Sequence, residues 1–160
     1  MAPFQACLRA PFGTVGISAT DTHVTGIRYL SPEVPALAPK RNTIAFLACV
    51  QLQSYLDDPA FAFDLPLKLS GTHHQIRVWE AMRAIPAGQT RTYGQLAQAI
   101  GSSARAVGGA CGANPIPIVV PCHRVVGAGG ALGGFMGARE EGFELSIKRW
   151  LLAHEGARRG

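Results

Sequence analysis

A chain of 160 residues with 48% apolar and 16% charged residues is long enough to bury a core without disulfides, and this composition excludes extensive disorder. Fifteen Lys and Arg against ten Asp and Glu leave a net charge of +5. That favours an anionic partner but falls well short of what a nucleic-acid packaging protein carries. The cysteines Cys7, Cys49, Cys111 and Cys122 form no CxxC pair, which points to a reducing compartment rather than a disulfide framework. The opening run MAPFQACLRAPFGTVG lacks a basic stretch followed by an apolar block, and no segment reaches the roughly 18 apolar residues of a membrane span. A soluble, cytoplasmic protein is expected.

Short strands are predicted over Phe4-Ala10, Val15-Ala19 and Val24-Tyr29, punctuated by Pro11-Phe12-Gly13 and Asp21-Thr22, so the chain should begin with a small antiparallel sheet. A Pro-rich link from Ser31 to Pro39 leads to a helix near 42–57, with Ile44, Leu47, Val50 and Leu56 on or near its inner face. A last strand, Ala62-Leu69, would close this lobe. From Gly71 the pattern changes to short helices. Thr72-His73-His74-Gln75 and Thr92-Tyr93-Gly94-Gln95 both fit the capping box, in which Thr and Gln side chains satisfy helix-start N–H groups reciprocally. Gly101 should end the second of these helices, and Ser102 or Ser103 should cap a third from Ala104 to about Ala113. The expected fold is α+β: an N-terminal sheet-plus-helix lobe over 1–70, then a mainly helical domain over 71–160.

Two short helices joined by Gly-Ser-Ser form a helix-turn-helix candidate, though such pairs also occur in ordinary helical cores. The second helix carries Gly108 and Gly109 in its interior, each costing about 1 kcal/mol against Ala. Either the glycines allow close helix packing, or they strip the helix so that it can approach a narrow surface with Arg105 projecting alone.

After Asn114 the run Pro115-Ile116-Pro117-Ile118-Val119-Val120-Pro121 reads as an extended apolar segment held out of helix by its prolines. It delivers Cys122 and His123. A thiol with pKa ~8.5 is mostly protonated at neutral pH, so a cysteine nucleophile needs a nearby base or positive charge, and His123 and Arg124 are one of each. A C-terminal helix over about Leu145 to His154 places Glu155 at its end, where an acid opposes the helix dipole. It is either a solvated terminal glutamate or the third member of a Cys-His-Glu relay.

The block Arg105 to Val125, RAVGGACGANPIPIVVPCHRV, together with IPAGQTRTYGQLA at 85–97 and KRWLLAHEG at 148–156, resembles the O⁶-alkylguanine-DNA alkyltransferases, the methylated-DNA-protein-cysteine methyltransferases. The resemblance spans about Gly71 to Gly156; the first lobe is similar only in length and strand pattern, which implies a ribonuclease-H-like support. It implies direct-reversal repair: irreversible, single-use transfer of an alkyl group from O⁶-alkylguanine, or from O⁴-alkylthymine, to Cys122, without a cofactor. His123 would act as base through a bound water and Glu155 would orient it. Asn114 would stabilise the turn before the active segment, and the Tyr93 phenol would donate a proton to the departing base. Arg105 would replace the flipped nucleotide in the duplex, which tips the reading of Gly108 and Gly109 toward approach to the minor groove. Arg91, Thr92, Ser102 and Ser103 would contact phosphates of double-stranded DNA. Val125, Phe135, Met136 and Gly137 would line the alkyl pocket, and the protein would work as a monomer.

Two departures from the family pattern stand out. Tyr93 and Arg105 are closer together in sequence than in familiar members, so the turn between the helices must be tighter. The stretch 133–143 is several residues longer than the usual loop, with Phe135-Met136 where Tyr and a small residue are common. Some relatives bind metal in the first lobe, but Cys7 has no matching partners here. His23, His73 and His74 read as surface or helix-cap residues, and Cys49 and Cys111 as buried small apolar ones, so no metal site is expected. The competing reading within this resemblance is a non-enzymatic lesion binder that flags damage for other repair factors; such proteins replace the acceptor cysteine, which is intact here. A sequence-specific helix-turn-helix regulator and a cysteine hydrolase or redox enzyme are the readings outside it.

Overall fold

The computed structural model describes residues 4–134 and 142–157. The chain divides into two compact units between Leu69 and Ser70, and its elements make a mixed α+β fold.

In the first unit β1 (Ala6–Ala10), β2 (Gly13–Ala19) and β3 (Val24–Leu30) form an antiparallel sheet in sequence order. Ala6, Ile17 and Ile27 are mutual partners across the register and therefore share one face; with Val15 they are buried. Helix α1 (Ile44–Asp57), capped by the Thr43 side chain on Phe46 N–H, packs on this sheet through Ala45, Ala48, Leu52 and Tyr55. The expected inner face was different: Leu47 and Val50 are 39% and 48% exposed. Two alanines let the helix lie close to the sheet and Tyr55 supplies the bulk, which rotates the buried stripe away from the branched aliphatics.

Both sheet edges are covered by irregular chain. The 31–39 link returns along β1, where Cys7 and Leu37 exchange backbone hydrogen bonds of 2.9 Å. The strand expected over Ala62-Leu69 reduces to a single parallel bridge between Val24 and Leu67. Pro66 has no N–H to donate. The Gln51 side chain holds the approach instead, donating to Asp64 O at 2.9 Å and accepting from its N–H at 2.8 Å.

The second unit begins with α2 (His73–Arg83), followed by the short strand β4 (Arg91–Thr92), α3 (Tyr93–Ile100) and α4 (Ala104–Gly112). Both capping boxes form as expected, Thr72 with Gln75 and Thr92 with Gln95. Gly101 ends α3 at φ +68, a left-handed conformation that suits glycine, and Ser103 caps α4. Buried Val78, Trp79 and Met82 join α2 to its neighbours, and the Trp79 indole N–H donates to Ala110 O at 2.8 Å.

The segment after Asn114 is not extended. Val120 N–H donates to Ile116 O at 2.9 Å and Ile118 takes φ +71, so the prolines frame a tight turn. Asn114 staples it from inside: its Oδ1 accepts from Ile116 N–H at 3.0 Å and its Nδ2 donates to Val120 O at 2.8 Å. The chain then makes a 3-10 turn, Cys122–Arg124, and strand β5 (Val125–Val126), which pairs in parallel with β4. Helix α5 (Phe143–His154) packs against the 3-10 turn, burying Leu145, Ile147, Lys148, Leu151 and Leu152.

Candidate active site

Cys122, His123 and Asn114 are buried, at 2%, 0% and 3% exposure. The parallel pairing Arg91↔Val125 and Thr92↔Val126 registers the start of α3 against the end of the cysteine segment, while α5 brings Glu155 to the same place from the other side. His123 Nε2 and Glu155 Oε2 lie 2.7 Å apart with both side chains fully buried. The sequence left a solvated Glu155 open as the bland alternative; the structure buries it. Glu155 accepts two further hydrogen bonds, from Arg124 Nε to Oε1 and from Arg124 Nη2 to Oε2, both 2.9 Å. This is the bidentate geometry in which a guanidinium matches a carboxylate.

The tautomer of His123 follows from its partner. A carboxylate can only accept, so Nε2 carries the proton and the neutral ring keeps its lone pair at Nδ1. That atom is buried with no hydrogen-bond partner among the described residues. Burial lowers the His123 value below the ordinary imidazole range, and Glu155 opposes this only in part. The ring is therefore neutral at physiological pH, with a basic nitrogen available.

The thiol differs from the sequence expectation. Burial pushes the Cys122 pKa up to about 11, against the lowering effects of the Asn114 side-chain hydrogen bond, the Lys148 charge and the Cys122 backbone N–H. At pH 7 the thiol is therefore held in its protonated form. Arg124, expected as a charge partner of the thiol, is committed to Glu155 and to Ile85 O, at 2.7 Å. The nearby cation is Lys148, fully buried, which donates to Val125 O and Gly134 O, each at 2.8 Å. Sequence reasoning missed it, although a lysine three residues from both Leu145 and Leu151 on the inner stripe of α5 was the available signal.

Tyr93 opens α3 half-buried. Its hydroxyl donates to Gly134 O at 3.2 Å, and Lys148 Nζ lies 5.8 Å from its ring centroid. Gly133, at φ +77, approaches the same ring so closely that a Cβ there would sit 2.9 Å from Tyr93 Cε2. Val125 is fully buried beside these groups. Phe135, Met136 and Gly137, the remaining expected pocket residues, lie outside the described residues.

On α4, Arg105 is exposed, and a Cβ at Gly108 or Gly109 would meet nothing within 4 Å. Close helix packing, one of the two explanations open from sequence, does not account for these glycines. The expected phosphate contacts are already engaged within the protein. Thr92 and Ser103 cap helices; Arg91 reaches Thr90 O and Gln89 Oε1; and Ser102 Oγ is hydrogen-bonded to His74 Nε2 at 2.7 Å. Cys111 is buried with its sulfur 3.6 Å from Met82 Sδ, whereas Cys49 is only half-buried. Among the described residues no three His, Cys, Asp or Glu side chains cluster as a metal site, and no helix is long and apolar enough to cross a membrane.

A family model described as 6-O-methylguanine DNA methyltransferase, DNA binding domain, matches residues 73–157. A relative from Mycolicibacterium paratuberculosis named methylated-DNA--protein-cysteine methyltransferase is 42% identical over 151 residues, covering 91% of this chain and 88% of its own length. A protein of the same name from Methanosarcina acetivorans is 36% identical over 160 residues, covering 96% and 99%. Among solved structures, Mycobacterium tuberculosis OGT in complex with DNA aligns with a TM-score of 0.78 at 39% identity, over 94% of this chain and 91% of that one.

Proposed function

The chain belongs to the 6-O-methylguanine DNA methyltransferase family, and we propose that it removes the alkyl group of O⁶-alkylguanine in DNA onto its own Cys122, once per molecule. The observation that carries this reading is the buried His123, whose Nε2 is held by Glu155 and whose Nδ1 has no partner among the described residues. A neutral imidazole held this way, next in sequence to the buried Cys122 thiol, would serve as its general base.

In the proposed step the Cys122 thiol proton passes through one water to His123 Nδ1. The sulfur attacks the alkyl carbon in line, and the carbon–O⁶ bond breaks with its electron pair going to the base. The Tyr93 hydroxyl turns from Gly134 O to protonate the departing guanine. A thioether is a poor leaving group, so Cys122 is not regenerated. O⁴-alkylthymine presents the same alkyl–oxygen bond and is a second candidate lesion. Keeping the thiol protonated until the relay engages protects a residue that can be used only once.

The alkylated oxygen is hidden in the base stack, so the nucleotide must leave the duplex, at a cost of a few kcal/mol. We read α3, the Gly101–Ser103 turn and α4 as a helix-turn-helix that enters the minor groove. The open surface over Gly108 and Gly109 supports close approach, and exposed Arg105 would occupy the vacated stack. Arg91, Thr92, Ser102 and Ser103 would contact phosphates, and Thr92 and Ser103 would offer them helix N-termini. Val125, Phe135, Met136 and Gly137 would wall the alkyl pocket. The first unit, with its three-stranded antiparallel sheet and helix, would be a ribonuclease-H-like support. A cytoplasmic monomer suffices for all of these steps.

The test is intact-mass measurement after incubation with duplex DNA holding one O⁶-methylguanine. Transfer adds about 14 Da, one CH₂, to a nucleophilic thiol, on the peptide bearing Cys122 and at no more than one equivalent. Lesion binding without a mass gain would favour the non-enzymatic damage flag, and transfer persisting in Cys122→Ala would refute the assignment.

A further inference from the structure

The tight turn between α3 and α4 is held from outside by α2. His74 Nε2 and Ser102 Oγ are hydrogen-bonded at 2.7 Å. One helical step further along α2, the Arg77 guanidinium donates to Ile100 O. His74 and Arg77 are three residues apart and so lie on one face of α2. Between them they grip both ends of the junction: the last carbonyl of α3, which no helical N–H can satisfy, and the residue before the Ser103 cap. Within the junction itself, Gly101 is in the left-handed conformation with nothing within 4 Å of a Cβ built on it. The Gly101 and Ser102 N–H groups both donate to Ala97 O, the latter at 2.9 Å, and so tie the turn back to α3. To these backbone ties α2 adds two side-chain hydrogen bonds from a separate element, one at each end of the turn.

We infer that His74 is a positioning residue for DNA binding: through Ser102 it sets the direction in which α4 presents Arg105 and the bare face over Gly108 and Gly109. The inference rests on the reading of α4 as the DNA-contacting helix. It assigns a role to a histidine that the sequence suggested was a surface or cap residue. His74 holds no atom of the Cys122, His123 and Glu155 relay, so its loss should act on the encounter with DNA and not on the chemical step.

The experiment measures binding and single-turnover transfer separately, using the full chain and a duplex with one O⁶-methylguanine. His74→Ala and Ser102→Ala should each weaken DNA binding about five- to ten-fold, the range a single hydrogen bond supports. The double variant should be no weaker than either single one. In His74→Ala the rate at saturating DNA should stay at the wild-type value. His74→Gln, whose Nε2 can reach a similar point, should restore most of the affinity. Wild-type affinity in His74→Ala, additive losses in the double variant, or a saturating rate that falls along with melting temperature would each overturn the inference. A wild-type chain that binds but transfers nothing would instead sink the proposed function.

Discussion

His123 Nε2 and Glu155 Oε2 are 2.7 Å apart, and the same carboxylate is gripped on both oxygens by Arg124. One buried anion thus fixes a tautomer and neutralises a guanidinium at once. In Glu155→Gln the amide can present its NH₂ to the ring and shift the proton to Nδ1, the wrong tautomer for a base. The Arg124 charge would also lose its partner. Transfer at saturating DNA should fall about 10²-fold or more, and stability by about 3 kcal/mol. Quenched-flow transfer and urea unfolding measure the two; a variant near wild type in both would show that Glu155 orients nothing.

The pH response should have two limbs. In the DNA-free protein, Cys122 labelling by iodoacetamide should be slow at pH 7 and rise about ten-fold per pH unit toward about 11. Because the folded thiol pKa is raised, its stabilising contribution is complete below the unfolded value of ~8.5 and is lost as pH rises through about 11. His123 has the opposite sign. Its folded value is lowered, so the unfolded chain takes up a proton that the native ring refuses. Stability should decline as pH falls below the ordinary imidazole value of ~6.5. Labelling that is already rapid at pH 7 would contradict the buried, protonated thiol.

Gly108→Ala and Gly109→Ala should move stability and DNA binding in opposite directions. Nothing within 4 Å opposes a Cβ at either position, so each alanine should stabilise the protein by up to about 1 kcal/mol through helix propensity. The added methyls stand on the face proposed to enter the groove and should weaken DNA binding several-fold. Thermal unfolding and fluorescence anisotropy give the pair of numbers. Tighter or unchanged binding would remove the groove-approach explanation for these glycines.

Gly133→Ala should act through Tyr93. The new Cβ would lie 2.9 Å from Tyr93 Cε2 on a backbone at φ +77, so both ring and chain must give way. A loss exceeding about 1 kcal/mol is expected, with slower transfer as the phenol is displaced. Removing the ring in Tyr93→Ala should relieve the steric part, so the two substitutions should fall short of additivity in a double-mutant cycle. Full additivity in stability would mean that the ring is not what the methyl meets.

Local signals carried most of the helical unit. Thr72, Gln75, Thr92, Gln95 and Gly101 mark helix ends through chemistry confined to a few residues, and the structure forms each of these caps. Signals that depend on tertiary partners were less legible. Ala45 and Ala48 decide the buried face of α1 only because a sheet lies beneath them, and Pro66 turns a plausible strand into one bridge. The site divides along the same line. Cys122 and His123 stand side by side in the chain, but Lys148, and the choice of Arg124 for Glu155 over the thiol, emerge only when α5 packs on the 3-10 turn. The thiol's upward shift likewise comes from burial, which no neighbouring residue in the sequence announces.

Gly134 O accepts from both the Tyr93 hydroxyl and Lys148 Nζ, and Lys148 is itself fastened to Val125 O. The boundary between the reacting centre and the segment that follows is thereby riveted to three separate elements. These bonds would hold the Tyr93 phenol and the Val125 backbone in place whatever the length of the segment beyond them. On the proposed function, the range of adducts accepted would then vary with the segment beyond the rivet, while the reacting groups stay in place.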